Sequence, residues 1–166
     1  MKLLKLALII TFGILLTTEM DAQRYKYKTS RNNEVVMLGV GADGTKAFKI
    51  YSTARKVEKA IALAKKEAVE ICIFKGLPAS GTISETPALC DRETEQQNAK
   101  YFQEFFTPGG RYLDYVNITT DGYPSGQDRL KIKGGYKVGL MVQILYENLR
   151  KDLEKDNIIK PLNYGF

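Results

Sequence analysis

A stretch rich in alanine and charge at residues 52–76 (STARKVEKAIALAKKEAVEICIFKG) constrains the fold more than any other part of the sequence. Its small and apolar residues recur at helical spacing, at Val57, Ala60, Ile61, Ala64, Ala68, Ile71 and Cys72. Lysine, arginine and glutamate crowd the other sides, as in a helix with one covered face. The pattern predicts a helix of about 20 residues. Because Ala60, Ala64 and Ala68 leave little side chain on the covered face, this helix should lie close to the backbone it packs against.

The ends of the stretch carry weaker signals. Lys75 places a cation in the last turn, and Gly76 can adopt the left-handed conformation that ends many helices. At the start, Ser52 or Thr53 is expected to cap the helix with its hydroxyl group. The cations that follow oppose the helix dipole.

Strand patterns lie on both sides of this helix. Apolar runs at residues 35–40 and 47–51 flank Ala42-Asp43-Gly44, a sequence typical of a hairpin turn. The second pattern alternates apolar Tyr136, Val138, Leu140, Val142 and Ile144 with more polar or smaller residues. Leu130 and Ile132 continue its phase backwards through a bend at Gly134 and Gly135. Residues 112–118 are predicted to form its antiparallel neighbour.

The remaining segments complete an α+β fold. Residues 77–91 are rich in Pro, Gly, Ser and Thr and predict a loop, whereas 93–106 and 146–156 predict helices. We therefore expect a single domain over 34–166, with an antiparallel sheet of about four strands. The alanine-rich helix lies across that sheet, together with one or two further short helices.

The amino-terminal sequence indicates export. Lys2 and Lys5 precede a short apolar run and a polar exit, which is the order of a signal peptide over residues 1–22. An uncleaved anchor is the alternative. A mature chain starting at Gln23 resembles exported proteins of the Bacteroidetes, and its basic, polar residues 23–33 predict a flexible start. The expected location is the periplasm, the outer membrane or the cell surface, with no membrane span after cleavage.

Export limits the partners and the state of the cysteines. The formal charge of +6 would suit an acidic glycan, whereas nucleic acid is not expected outside the cell. The chain has two cysteines, Cys72 and Cys90, which an oxidising compartment could join in a disulfide closing the loop between them. Alternatively, Cys72 packs on the apolar side of the helix as a small hydrophobe.

Catalytic motifs are weak in this sequence. There is no histidine and no C-x-x-C, so the commonest general base and the usual redox motif are missing. Carboxylates that could pair for glycoside chemistry are Asp114, Asp121, Asp128, Glu95 and Glu104. The aspartates of the segment DGYPSGQD fit turn formation better. We therefore predict no catalytic, cofactor-binding or metal-binding residue, and no enzyme.

Tyrosine is the commonest aromatic residue and supplies the candidate binding face. There are ten tyrosines and no tryptophan, and several tyrosines lie beside arginine or lysine. The face is predicted at Tyr112, Tyr115, Tyr123 and Tyr136. The alternative is that these are half-buried tyrosines at the edge of the sheet.

The order of strand, alanine-rich helix, loop and two-stranded return resembles the amino-terminal domain of flagellar assembly protein T and the LPP20 lipoprotein family. The matching residues are Ala54-Arg55 with Ala60, Ala64 and Ala68 on the helix, then strands at 112–116 and 136–142. The lipid-attachment cysteine of LPP20-type proteins is missing here. The resemblance implies a non-catalytic envelope domain that docks onto a larger assembly.

Two functional hypotheses follow. The first is an exported accessory domain that binds an envelope protein through its sheet edge or its tyrosine-bearing strands. The second is a small protein acting on carbohydrate or peptidoglycan, through surface carboxylates or a basic glycan-binding face.

Overall fold

A five-stranded antiparallel sheet forms the frame of the protein. In the computed structural model, residues 34–119 and 123–161 are described. The expected signal peptide, the segment 23–33 and Asp121 lie outside the described residues. The strands are β1 (Val35–Val40), β2 (Lys46–Ala54), β3 (Val116–Ile118), β4 (Arg129–Ile132) and β5 (Gly135–Ile144). The predicted α+β class is confirmed, with five strands where about four were expected.

The hairpin predicted around Asp43 is present. Strands β1 and β2 pair antiparallel, and the Gly41 amide donates to the Thr45 carbonyl over 2.9 Å. The Asp43 carboxylate accepts bonds from the backbone amide and the hydroxyl of Thr45, which holds the turn in shape. Gly44 has a φ of 76°, a left-handed conformation that glycine adopts without steric cost.

Strand β5 lies at the centre of the sheet. It pairs with β2 along one side, and with both β3 and β4 along the other. The predicted alternation is confirmed, because Val138, Leu140, Val142 and Ile144 are all buried against the helical layer. The sheet therefore has one covered face.

The prediction that Leu130 and Ile132 share this buried phase is wrong. The chain reverses at Gly134, whose φ is 89°, and Ile132 pairs with Gly135 across a tight turn. Leu130 consequently lies opposite Lys137, on the other face of the sheet. The two side chains are 48% and 40% exposed, and β4 is a separate edge strand.

The alanine-rich segment forms helix α1 (Val57–Phe74), which crosses the covered face of the sheet. Ala60, Ala64 and Ala68 have no exposed surface, so the predicted close approach is confirmed. The predicted capping is wrong: Ser52 and Thr53 belong to β2, and Lys56 stands at the N-cap with no side-chain bond. Gly76 ends the helix with a φ of 82°.

Charged residues of the second half of α1 are not solvated as expected. Lys66, Glu67 and Glu70 are all buried. The Ser52 hydroxyl donates to the Glu67 carboxylate, and Lys66 Nζ lies 3.0 Å from Glu70 Oε1. The helix is covered on more than one side here, since Lys66 Nζ lies 5.7 Å from the centre of the Phe106 ring.

Three shorter α-helices and two 3-10 helices complete the described fold. The α-helices are α2 (Arg92–Gln97), α3 (Ala99–Phe105) and α4 (Tyr146–Lys155), and the 3-10 helices are Arg111–Tyr115 and Gly126–Asp128. The helix expected over 93–106 is divided at Asn98. The loop before it folds back on α1, because the Cys90 amide donates to the Ile73 carbonyl over 2.7 Å. No helix among the described residues has the length and apolar character needed to cross a membrane.

Candidate functional site

The four tyrosines of the predicted binding face do not come together. Residues Arg111–Tyr115 form a 3-10 helix rather than a strand, which turns Tyr112 and Tyr115 to the same side. Both are buried, and 6% and 4% of their surface is exposed. The Tyr115 hydroxyl donates to Asp152 Oδ2 over 2.6 Å. These two tyrosines therefore belong to the core and cannot form an exposed face.

The other two tyrosines lie near the start of α1. Tyr123 is 53% exposed, and its hydroxyl donates to Glu58 Oε1 over 2.8 Å. Tyr136 is half-buried and packs against a small cluster of Val57, Ala60 and Val138. Only Tyr123 offers an open aromatic surface, so a tyrosine face of the predicted composition is not present.

Cys72 and Cys90 are both free thiols, and both are buried. Burial raises the pKa of the Cys72 thiol to about 12. Burial also raises the pKa of Cys90 to about 12, with smaller contributions from the negative charges of Asp91 and Glu95. Of the two alternatives for Cys72, the structure shows a small hydrophobe packed in the core.

The candidate carboxylates are also dispersed. Asp128 accepts two bonds from Lys49 Nζ, at 2.8 and 3.0 Å. Asp114 is exposed on the 3-10 helix, and no described contact joins it to Asp128. Within residues 34–119 and 123–161, no cluster of three His, Cys, Asp or Glu side chains could hold a metal ion. Asp114 and Asp128 are thus not joined as a carboxylate pair.

The candidate site is the outer edge of the sheet at β1. β1 is the outermost strand of the sheet, so it is hydrogen-bonded on one side only, to β2. Its sequence, VVMLGV, has no charged residue. Val36, Leu38 and Val40 are 45%, 50% and 47% exposed. An edge strand of this kind is a template for pairing with another strand, and proteins normally protect such edges with charge, proline, a β-bulge or a covering element. The pairing of β1 with β2 has a register shift between Met37 and Gly39, so the regular part of this edge is Val35 to Met37.

The backbone of β1 presents hydrogen-bonding groups along this edge. The Glu34 carbonyl accepts from the Tyr51 amide over 3.2 Å, and Val36 lies opposite Lys49. Residues of an antiparallel strand point their backbone groups alternately toward and away from the neighbour. The amide and carbonyl groups of Val35 and Met37 therefore face away from β2.

A groove of about 600 Å³ adjoins the beginning of β1. Its apolar lining comes from Val35, Ile71 and Leu77, together with two prolines of the following loop. The complete lining is Glu34, Val35, Ile71, Lys75, Gly76, Leu77, Pro78, Glu85, Thr86 and Pro87. The groove therefore lies beside the outer edge of β1 at Glu34 and Val35.

Sequence reasoning identified β1 as a strand but did not identify it as an edge. Edge position depends on which strands pair, and the order β1-β2-β5 places the amino-terminal strand outermost. Composition gives no signal of the edge, because an uncharged apolar run such as residues 35–40 is more typical of an interior strand.

No family model matches the sequence, and no curated protein or solved structure matches it.

Proposed function

We propose that this protein is an exported, non-catalytic accessory domain of the bacterial cell envelope that binds an extended segment of an envelope protein along β1. The observation that carries the proposal is the uncharged edge strand with exposed Val36, Leu38 and Val40. Strand addition suits such an edge, because main-chain hydrogen bonds give affinity and alternate side chains give specificity.

The occupant is an extended, largely apolar segment. One face of β1 offers Val36 and Leu38, both about half exposed. On its other face, side chains of an added strand would enter the groove beside Val35 and Leu77. Burial of apolar surface on both faces contributes about 25 cal/mol per Å². Glu34, Lys75 and Glu85 in the groove would orient the few charges of such a segment.

The envelope location rests on the amino-terminal sequence. The order of basic start, apolar run and polar exit over residues 1–22 supports export. The resemblance to envelope-assembly domains supports the same location, although the lipid-attachment cysteine is missing. A partner within the envelope would therefore be an exported or outer-membrane protein.

Photo-crosslinking in the native cell tests this proposal. A photoreactive amino acid replaces Leu38, and the matched control carries it at Leu113, which is 37% exposed on the 3-10 helix. We expect a product of one discrete mass from position 38 only, with the crosslink mapping to an extended segment of an envelope protein.

A second variant separates strand addition from nonspecific contact. Val35→Pro removes an amide that faces away from β2, and proline is tolerated at the first residue of an edge strand. This variant should keep the fold and lose the crosslinked product. A product containing two copies of this chain would mean that β1 binds a second copy of the protein and not an envelope partner. Equal products from positions 38 and 113 would overturn the proposal.

A further inference from the structure

The opposite edge of the sheet carries a second exposed surface, which we call the basic end. It combines the hairpin of β4 and β5 with the junction between β2 and α1. Its cations are Arg55, Lys56, Arg129, Lys131 and Lys133, all of them exposed. The two segments are in direct contact, since a Cβ atom at Gly135 would lie 2.9 Å from Arg55 Cα. The fold thus joins cations that are more than 70 residues apart along the chain.

These cations are not neutralised within the described part of the chain. None of the five takes part in an ion pair between described residues. The nearby carboxylates form their hydrogen bonds with other residues: Asp128 binds Lys49, and Glu58 accepts the Tyr123 hydroxyl bond. Of the five cations, Lys56 interacts electrostatically with Glu58. The basic end therefore presents a concentrated positive charge.

Exposed apolar side chains lie on the same edge strand as two of the cations. Leu130 and Ile132 alternate with Arg129 and Lys131 along β4, so the two pairs point to opposite faces of the sheet. Leu130 and Ile132, on the uncovered face, are 48% and 40% exposed. Tyr123 adds an exposed ring at the same end of the molecule through its bond to Glu58. Aliphatic side chains flanked by lysine and arginine, with tyrosine close by, are typical of segments that bind the membrane interface.

We propose that the basic end binds the surface of a membrane containing anionic lipids. The hairpin enters the headgroup region along its β4 edge, so that Leu130 and Ile132 contact lipid from one face of the strand. The long side chains of Arg129 and Lys131 on the other face, and those of the three remaining cations at this end, reach the lipid phosphates. An acidic polysaccharide would also complement the charge of the basic end. It would not, however, offer an apolar environment in which two exposed aliphatic side chains could be buried. The inference goes beyond the proposed function and does not depend on it, because β1 and β4 lie at opposite edges of the sheet.

The absence of tryptophan from the chain allows a local test. Ile132→Trp places the only indole at the hairpin, and Leu38→Trp places it on β1 as the matched control. Each full-length variant is titrated with vesicles of equal parts phosphatidylglycerol and phosphatidylcholine, and with phosphatidylcholine vesicles alone. Because the indole reports its own surroundings, binding by other parts of the chain does not shift the Ile132→Trp emission.

We expect the Ile132→Trp emission to shift to shorter wavelength with the anionic vesicles only. At high salt the emission should return to its wavelength without vesicles. The Leu38→Trp emission should not change. In the Ile132→Trp background, Lys131→Ala with Lys133→Ala should raise the lipid concentration that gives half of the emission shift by about 25-fold, since each cation near an anionic surface strengthens membrane binding by about fivefold. Lys151→Ala with Lys155→Ala, the same charge change on α4, should have a much smaller effect.

Several results would overturn the inference. An unshifted Ile132→Trp emission with anionic vesicles excludes insertion of the hairpin, and an equal shift with phosphatidylcholine excludes recognition of anionic lipid. An equal loss of vesicle binding in the two double-lysine variants would mean that binding depends only on the net charge of the protein. Retention on immobilised heparin that depends on Lys131 and Lys133, without a vesicle response, would assign the basic end to acidic polysaccharide.

Discussion

The Tyr115 hydroxyl donates to Asp152 Oδ2 over 2.6 Å and thereby joins the 3-10 helix before β3 to helix α4. Burial raises the pKa of Tyr115 to about 12, and the bond to Asp152 acts in the same direction. The phenol is therefore protonated and able to donate at neutral pH. The bond and the burial of Tyr115 make this side chain part of the core.

Tyr115→Phe should lower the free energy of unfolding by about 1.5 kcal/mol, the lower end of the range for a hydrogen bond to a charged group. Urea denaturation measures the loss. Tyr123→Phe is the matched control, because it removes a bond from an exposed tyrosine to Glu58. The control should change stability little, and equal losses in the two variants would contradict a structural role specific to Tyr115.

The sequence predicted local elements well where one face of an element is buried. The alternation at 136–144 and the spacing of Ala60, Ala64 and Ala68 both correspond to a sheet face and a helix face in contact. Periodicity was misleading where burial comes from several sides. Glu67 and Glu70 lie on sides of α1 that the pattern assigns to solvent, yet the fold covers them.

The candidate sites were harder to predict because they depend on pairing between distant segments. Tyr112 and Tyr115 were assigned to a strand from their composition, but a 3-10 turn directs them inward. Leu130 was assigned to the buried face because the reversal at Gly134 was interpreted as a bend. The edge position of β1 and the contact between Arg55 and the β4–β5 turn have no local signal in the sequence.

Ala64→Leu should destabilise the protein by about 3 kcal/mol, because an isobutyl group cannot fit between α1 and the sheet without displacing one of them. Thermal or urea unfolding gives the value. Ala62→Leu makes the same change at an exposed position of the same helix and should have little effect. A tolerated leucine at position 64 would mean that the helix lies farther from the sheet than described.

Both thiols should resist modification in the native protein. Burial raises the pKa of Cys72 and of Cys90 to about 12, so the reactive thiolate is scarce near neutral pH. Titration with a thiol reagent should find no rapidly reacting group in the folded protein and both groups after denaturation. A denatured, unreduced protein without reactive thiols would instead contain the disulfide.

Acid should weaken the contact between Asp156 and the 3-10 helix. The bond from Tyr101, at 2.7 Å, is the main cause of a lowered pKa at Asp156, and Arg111 at 2.9 Å adds to it. Because the folded pKa lies below the unfolded value, this contribution to stability is present above that value and is lost as the pH falls through the folded pKa.

Asp156→Asn should therefore be less stable than the wild type near neutral pH, with a difference that starts to shrink as the pH approaches the ordinary aspartate pKa of 3.8 and continues to shrink below it. Urea unfolding from neutral to acid pH measures it. Asp114→Asn, a matched change at an exposed position of the 3-10 helix, serves as the control. A difference for Asp156→Asn that stays constant with pH would show that its carboxylate does not carry the effect.

Amide hydrogen exchange along β1 of the purified protein tests most directly whether this edge is available to a partner. The Val36 amide faces β2, whereas the amides of Val35 and Met37 face away from it. We expect slow exchange at Val36 and fast exchange at Val35 and Met37, with no change on dilution. Protection of Val35 and Met37 equal to that of Val36 would show that the edge is already occupied, and would contradict strand addition at β1.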